Sequence, residues 1–290
     1  MNKLSKRAKI ILTVVVALMT LAVGLTSQWR MADKMEIVFL DVGQGDAVLI
    51  KTGGGKNILI DGGPDKSVVY GLGRHLAFYE RTIDLVVLTH PDSDHVVGLV
   101  EVLKRYQVKQ ILLTVKQSTA PEYPAWRRAV ENEGAKVILA QAGQVFDFDP
   151  ETRMTVLYPF DEAGLNDLPP NDTSVVTRLE HGDNSWLLTG DLPEEIEEKI
   201  LARLNGNTDI LQVDVLKVGH HGSKYSSRVD FLRAVQPEMA VISVGEKNRF
   251  NHPAYAALDR LRRIGAQILR TDQLGDICMV SDGARIAPCR

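Results

Sequence analysis

An α/β fold of four layers, with two sheets packed face to face and helices on the outside (αββα), follows from three features of the sequence. Short β-branched segments cluster at the start of each half of the chain, and amphipathic helical segments separate the later strands. No short-period repeat, heptad run or low-complexity tract points elsewhere. With 290 residues, 44% of them apolar and 24% charged, the chain is long enough to bury a large core.

The first element is N-terminal. Lys3, Lys6, Arg7 and Lys9 form a basic run, and Ile10 to Thr26 then carries no charge. That length sits at the short edge of a membrane span, which needs roughly 17–25 residues. The basic flank keeps the N-terminus in the cytoplasm and places the body on the far side. A cleaved signal peptide is the competing expectation, with Ala22-Val23-Gly24 as the small-residue site. Residues 1–30 are therefore assigned to an anchor or a signal peptide, and residues 35–290 to the globular domain. The expected location is the cell membrane, single-pass with the domain outside, or the secreted fraction.

Beyond a short linker the chain turns to strands at Glu36–Asp41, Asp46–Lys51 and Lys56–Asp61, separated by glycine-containing turns, which reads as a meander. Helix Ser67–Tyr79, strand Asp84–Thr89, helix Val96–Tyr106, strand Gln110–Thr114, helix Tyr123–Glu133 and strand Lys136–Leu139 follow. Residues 140–170, rich in Asp, Gly and Pro, read mainly as a long connection between the halves, with a strand at Thr155–Tyr158. The second half has strands Ser174–His181, Ser185–Thr189, Val213–Val218, Ala240–Val244, Gln267–Thr271 and Ile277–Ser281. Helices Glu194–Leu204, Ser227–Val235 and Tyr255–Ile264 lie among them.

The composition limits function. Residues 1–30 hold five basic side chains and no acid, which leaves 29 basic against 37 acidic residues in the rest, a net of −8. A general nucleic-acid binder shows a net basic face, so such a partner would need a local basic groove. Cys278 and Cys289 form no C-x-x-C motif; they are either two free thiols or a bridge across a terminal hairpin.

Chemistry concentrates where apolar strands stop. Leu85–Thr89 runs into His90, and Pro91 prevents the ladder from continuing. His90, Asp92, Asp94 and His95 then fall within six residues at a strand's carboxyl end. Capping of the next helix accounts for one aspartate of this set; a divalent cation accounts for all four groups. Trp186–Gly190 likewise runs into Asp191, a candidate bridge between two ions, and Asp214–Gly219 into His220-His221. Read as extended chain, adjacent histidines point in opposite directions, so one ligates while the other hydrogen-bonds or meets substrate. The Gly43-Gln-Gly-Asp46 and Asp61-Gly-Gly63 turns lack the spacing of a nucleotide-binding loop. They read as tight strand turns, with Asp61 orienting a ligand from behind.

On these residues the sequence resembles the metallo-β-lactamase superfamily, and within it the hydrolase domain of ComEC-type DNA-uptake proteins. The matching segments are Phe39–Ala47, Ile60–Gly63, Thr89–His95, Asn171–Ser174, Leu188–Asp191, Leu216–Ser223, Asn248–Pro253 and Arg270–Asp272. The family's His-x-His-x-Asp-His run has Asp92 at its second histidine, and its separate later histidine has no good match. His181 falls in that interval but reads as a surface hairpin residue. The resemblance implies a metallo-β-lactamase-like hydrolase over residues 35–290 holding two divalent ions, Zn or Mn. One ion would lie among His90, Asp92 and Asp191. The other would lie among Asp94, His95, Asp191 and one of His220 or His221, with His221 preferred. A carboxylate in place of imidazole hardens the first site and makes Mn²⁺ a competitor of Zn²⁺.

Asp94 would also orient the attacking water. His220 and His252 are candidates for catalysis, and Asn171, Ser174, Lys217 and Ser223 for substrate contact, with a strand-edge cap as the plainer reading of Lys217. The expected substrate is a phosphodiester, single-stranded DNA by resemblance. A small or envelope phosphodiester such as a phosphorylcholine ester and a membrane-tethered metal-binding module without turnover are the alternatives. No protein partner is implied.

Overall fold

Alternating burial explains how the strands stack. In the strand that ends at His90, Leu85 and Val87 face one core while Ile83, Val86 and Leu88 face another, and all five are buried. Over Leu85–Leu88 the strand has no solvent face, which is why that stretch of sequence is a continuous apolar run. The computed structural model describes residues 34–118, 120–160 and 164–289, together with residues 13 and 15. The expected N-terminal anchor or signal peptide thus falls, those two residues apart, outside the described residues. Among the described residues no helix is long and apolar enough to cross a membrane.

The first sheet opens with the antiparallel meander β1 (Met35–Phe39), β2 (Val48–Lys51) and β3 (Asn57–Ile60). It continues in parallel through β4 (Thr82–Leu88), β5 (Gln107–Leu113) and β6 (Lys136–Leu139). Helices α1 (Ser67–His75), α2 (Ser93–Leu103) and α3 (Tyr123–Glu133) make the crossovers. The second sheet begins with antiparallel β7 (Val145–Asp147), β8 (Thr152–Tyr158), β9 (Val176–His181) and β10 (Asn184–Leu188). It then runs in parallel through β11 (Val215–Lys217), β12 (Met239–Ile242) and β13 (Gln267–Arg270). Helices α4 (Glu194–Leu204), α5 (Val229–Val235) and α6 (Tyr255–Arg263) cover that sheet. The chain finally returns to the first sheet as β14 (Ile277–Ser281) and β15 (Ile286–Pro288), with β14 antiparallel to β1. The orders are β15-β14-β1-β2-β3-β4-β5-β6 and β13-β12-β11-β10-β9-β8-β7.

Three apolar clusters fill the layers. Met35, Ile37, Phe39, Trp186, Leu188 and Val215 meet between the sheets. Leu72, Val96, Leu99 and Trp126 pack helices onto the first sheet, and Ile196, Ile200, Phe231 and Leu261 pack helices onto the second. The expected αββα arrangement is therefore the one observed.

Local differences from expectation have local causes. Helix α1 stops at His75 because Leu76 is extended and the Ala77 N–H donates to the Glu80 carboxylate at 2.7 Å. The stretch read mainly as a long connection pairs β7 with β8, and β8 begins at Thr152, three residues before the expected start. Asp149 accepts bonds from the Glu151 and Thr152 amides and so makes the turn between them. Cys278 and Cys289 are joined, with 5.3 Å between their Cα atoms, across the β14–β15 hairpin.

One close backbone contact fixes the first sheet's site. A Cβ at Gly98 would lie 1.8 Å from the Gly62 carbonyl oxygen. The glycine lets α2 lie against the turn after β3, where Asp61 sits.

Candidate metal centre

The centre forms where β4, β10 and β11 end, each strand delivering its last side chains to one point between the sheets. Beyond β4, His90 is fully buried and α2 starts at once at Ser93, three residues before the expected Val96. Asp92 occupies the cap position by its backbone, yet its side chain makes no capping bond. Capping therefore accounts for neither aspartate side chain. Asp94 and His95 lie in the first turn of α2, where the helix dipole favours negative charge.

The second sheet supplies the facing half. Gly190, at φ 53°, turns the chain after β10 against Thr89, and the Asp191 N–H donates to Ser174 Oγ at 3.2 Å. His220 and His221 are not extended, as the alternation argument assumed; both adopt left-handed backbone conformations, at φ 48° and 52°. The turn buries His221 and leaves the His220 side chain 31% exposed. The two rings still diverge, at an interplanar angle of 73°, but through a turn and not through a strand.

Three imidazoles converge with their Nε2 atoms on Asp191. His95 Nε2 is 3.4 Å from Asp191 Oδ1, while His221 Nε2 and His90 Nε2 are 3.3 and 3.9 Å from Oδ2. The outer nitrogens are occupied. His95 Nδ1 bonds Asp61 Oδ2 at 2.8 Å, His221 Nδ1 bonds the Ser243 carbonyl at 2.9 Å, and His90 Nδ1 lies 3.0 Å from Thr89 Oγ1. A carbonyl only accepts, so Nδ1 of His221 carries a proton, and Nε2 is the atom that offers a lone pair once its own proton is displaced. All three Nε2 atoms are buried without a hydrogen-bond partner, as is Asp191 Oδ1. Unsatisfied buried polar atoms are costly. Facing lone pairs of imidazole and carboxylate are what a divalent cation satisfies.

Asp92 Oδ2 lies 3.7 Å from His90 Nε2, and Asp94 Oδ2 lies 3.4 Å from His221 Nε2. The structure thus gathers the expected set His90, Asp92, Asp94, His95, Asp191 and His221, with Asp191 in the middle. The Asp92 and Asp94 side chains remain 40% and 29% exposed. The cluster therefore opens to solvent on the α2 side.

Charge in this cluster follows from burial and neighbours. Burial together with His95 holds His90 down at about 3, so it is a neutral imidazole. Burial, with the Asp94 and Asp191 charges, lifts Asp92 to about 6. At His95 burial opposes the cation, but Asp191 and Asp61 outweigh it and raise its pKa well above the ordinary value. His221 is likewise raised, by Asp191 and Asp46 against burial. In the metal-free protein both imidazoles hold protons that a cation must displace. Metal affinity is therefore expected to rise with pH through neutrality, up to about tenfold per pH unit for each proton released. Titration of the apoprotein with Mn²⁺ or Zn²⁺ between about pH 6 and pH 8 checks this, and a flat affinity contradicts it.

Two buried groups behind the cluster carry more than the sequence showed. Lys217 is not a strand-edge cap: β11 is flanked by β10 and β12, and the Lys217 side chain is 2% exposed. Its Nζ donates to the Gly190 carbonyl at 2.8 Å and pairs with Asp46. Asp46, read only as part of a tight turn, lies 3.4 Å from His221 Nδ1. Burial would raise its carboxyl, yet Lys217, His221 and His95 hold it down at about 2. What could have revealed it was an acid directly after a glycine turn and before an all-apolar strand. Asp61 lies behind His95, accepting from Thr89 N, Thr89 Oγ1 and His95 Nδ1.

The remaining expected residues divide. Asn171 Nδ2 is 3.4 Å from the His220 ring nitrogens, and the His220 and His252 rings meet edge to face at 5.6 Å. Burial, with His220 and His221, lowers His252 to about 4, so it is neutral and offers an N–H rather than a stored proton. Ser223 donates its N–H to the His220 carbonyl and holds the turn. His181 is not a surface residue. It is buried, its Nδ1 lies 2.7 Å from Ser281 Oγ, and it pairs with Asn184 at the end of β10 remote from Asp191.

Comparison with known proteins places this geometry. The family model described as Metallo-beta-lactamase superfamily matches residues 40–246. ComE operon protein 3 of Bacillus subtilis (strain 168) is 32% identical over an alignment of 259 residues that covers 83% of this chain and 32% of that protein. Competence protein ComA of Neisseria gonorrhoeae is 36% identical over 236 residues, 81% of this chain and 30% of that protein. The chain thus spans about a third of the length of these curated relatives. Among solved structures, the metallo-beta-lactamase fold protein YhfI from Bacillus subtilis superimposes with a TM-score of 0.58 at 12% identity, covering 86% of this chain and 100% of that one. At that identity the likeness speaks to the fold alone.

Proposed function

The chain belongs to the metallo-beta-lactamase superfamily of metal-dependent hydrolases, and on that footing we propose that it is a two-metal phosphodiesterase whose substrate is a polynucleotide backbone. The observation that carries this is the convergence of three buried, unpartnered imidazole Nε2 atoms on Asp191, beside two half-open carboxylates.

His90, Asp92 and Asp191 would hold one ion, and Asp94, His95, Asp191 and His221 the other. When bound, two divalent cations supply Lewis acidity for water activation and neutralise phosphoryl charge. The carboxylate-rich donor set admits Mn²⁺ beside Zn²⁺. The chain's own groups do the positioning. Asp61 fixes the His95 ring, the Ser243 carbonyl fixes the His221 ring, and Ser174 fixes the Asp191 backbone. Asp94, the most exposed of the residues that would hold the second ion, would accept a bond from the attacking water. His220, 31% exposed, and His252, edge to face with it, would meet substrate as hydrogen-bond donors.

The Cys278–Cys289 bridge supports action outside the cytoplasm, since disulfides persist in oxidising compartments. The basic run and the apolar stretch of residues 1–30 support attachment to, or export across, the membrane.

Turnover of bis-p-nitrophenyl phosphate with Mn²⁺ or Zn²⁺ tests the activity. The wild type is expected to hydrolyse it, and Asp94→Ala to lower the rate by roughly 100-fold or more. Hydrolysis at full rate in the variant removes Asp94 from the mechanism. No hydrolysis with either metal overturns the phosphodiesterase reading in favour of a binding module.

A further inference from the structure

Although residues 31–290 carry a net −8, two pairs of a cation and an exposed ring lie on the loops that carry His220-His221 and His252. After the His220-His221 turn comes Lys224 with its Nζ 4.7 Å from the Tyr225 ring, and after β12 comes Arg249 with its guanidinium 4.9 Å from the Phe250 ring. Tyr225 is 56% and Phe250 49% exposed. The two loops adjoin: the Ala254 N–H donates to the Gly222 carbonyl at 2.8 Å, and Pro253 packs against Gly222.

The Phe250 ring is held in place and not merely left outside. Asn248 Oδ1 accepts from the Phe250 and His252 amides at 3.2 and 2.9 Å, while its Nδ2 donates to the Gly245 and His252 carbonyls. One side chain thus pins the loop at four backbone atoms. Phe250 stacks on His252 at 5.7 Å and 24°, and His252 meets His220 edge to face at 5.6 Å. His220 Nε2 is 4.0 Å from Asp191 Oδ2. A ladder of rings therefore runs from the carboxylate at the centre of the candidate ligand set to the half-exposed Phe250 ring, on which His252 stacks and over which the Arg249 guanidinium lies.

We propose that Phe250 is a base-stacking subsite for a single-stranded polynucleotide, with the Arg249 guanidinium moving from over the ring to meet a phosphate beside Lys224 as a base takes its place, so that the ring ladder leads the backbone to the metal centre. This rests on the phosphodiesterase reading above and adds what the site recognises beyond phosphate. Every base has a flat face, so such a platform binds single strands without reading sequence. A paired base inside a duplex offers no free face, so the subsite favours single over double strands. Because Asn248 has already ordered the loop, little further ordering accompanies binding.

The test compares the metal-loaded full-length chain on a single-stranded DNA oligonucleotide and on a strand of the same length with abasic sugars throughout. The wild type is expected to show a lower KM for the base-bearing strand. Phe250→Ala is expected to raise that KM about tenfold, bringing the ratio of the two KM values close to one, and Phe250→Trp to restore the preference. Equal wild-type KM values for the two strands, or an unchanged ratio in Phe250→Ala, overturn the stacking subsite and leave phosphodiester hydrolysis standing. A wild type that cleaves neither strand overturns the polynucleotide reading and the subsite with it.

Discussion

Replacing Asp191 by alanine is expected to release both ions and to lower phosphodiester hydrolysis at least about 1,000-fold. Among the described residues, Asp191 alone of the acids lies within 4.0 Å of ring nitrogens of His90, His95, His220 and His221. Removing it takes a donor from each ion position at once, so the loss exceeds that for any ligand serving one ion. Two-metal sites supply several kcal/mol of transition-state stabilisation, and about 1.4 kcal/mol corresponds to a factor of ten in rate. The metal-free variant has a second expected signature. His95 and His221 lose the Asp191 charge, the strongest of those that raise their pKa, so both titrate at lower pH, which imidazole NMR resonances report. A variant that keeps most of its rate would mean that the ions are not shared through this carboxylate.

Lys217→Met is expected to destabilise the fold by about 3–5 kcal/mol, the usual result of removing one partner from a buried ion pair. Lys217 and Asp46 are nearly inaccessible, and Lys217 also holds the Gly190 carbonyl at the turn that delivers Asp191. Without the ammonium, burial and the nearby Asp61 and Asp191 carboxylates push the Asp46 carboxyl upward, opposed by His221 and His95. Urea unfolding of the metal-free protein measures the loss. Pairing the substitution with Asp46→Asn is expected to recover part of it, because the stranded charge is then gone. Stability within about 1 kcal/mol of wild type in Lys217→Met contradicts a structural role for the pair.

The sequence shows the strands that end in chemistry because burial on both faces leaves an unbroken apolar run with a polar stop. β4 before His90 and β10 before Asp191 are both of that kind. It also shows the layers, since helices and parallel strands alternate in each half. It does not show β7, three residues long and exposed along most of its length, because an edge strand carries no apolar signature. The left-handed turn at His220 and His221 was hidden for another reason: nothing in adjacent histidines distinguishes an extended pair from one bent by glycines on either side. Asp46 and Lys217 were obscured because their meaning lies in each other. They come from opposite sheets, 171 positions apart, and only packing of the two sheets brings them together. The six ligand candidates, by contrast, were legible one segment at a time, although the sharing of Asp191 among four rings is a product of the fold.

The most direct measurement counts metal. Wild-type protein incubated with excess Mn²⁺ or Zn²⁺, freed of loose ions and analysed by elemental mass spectrometry, is expected to retain about two ions per chain. Protein that retains neither metal under those conditions contradicts the assignment of His90, Asp92, Asp94, His95, Asp191 and His221 as a metal centre.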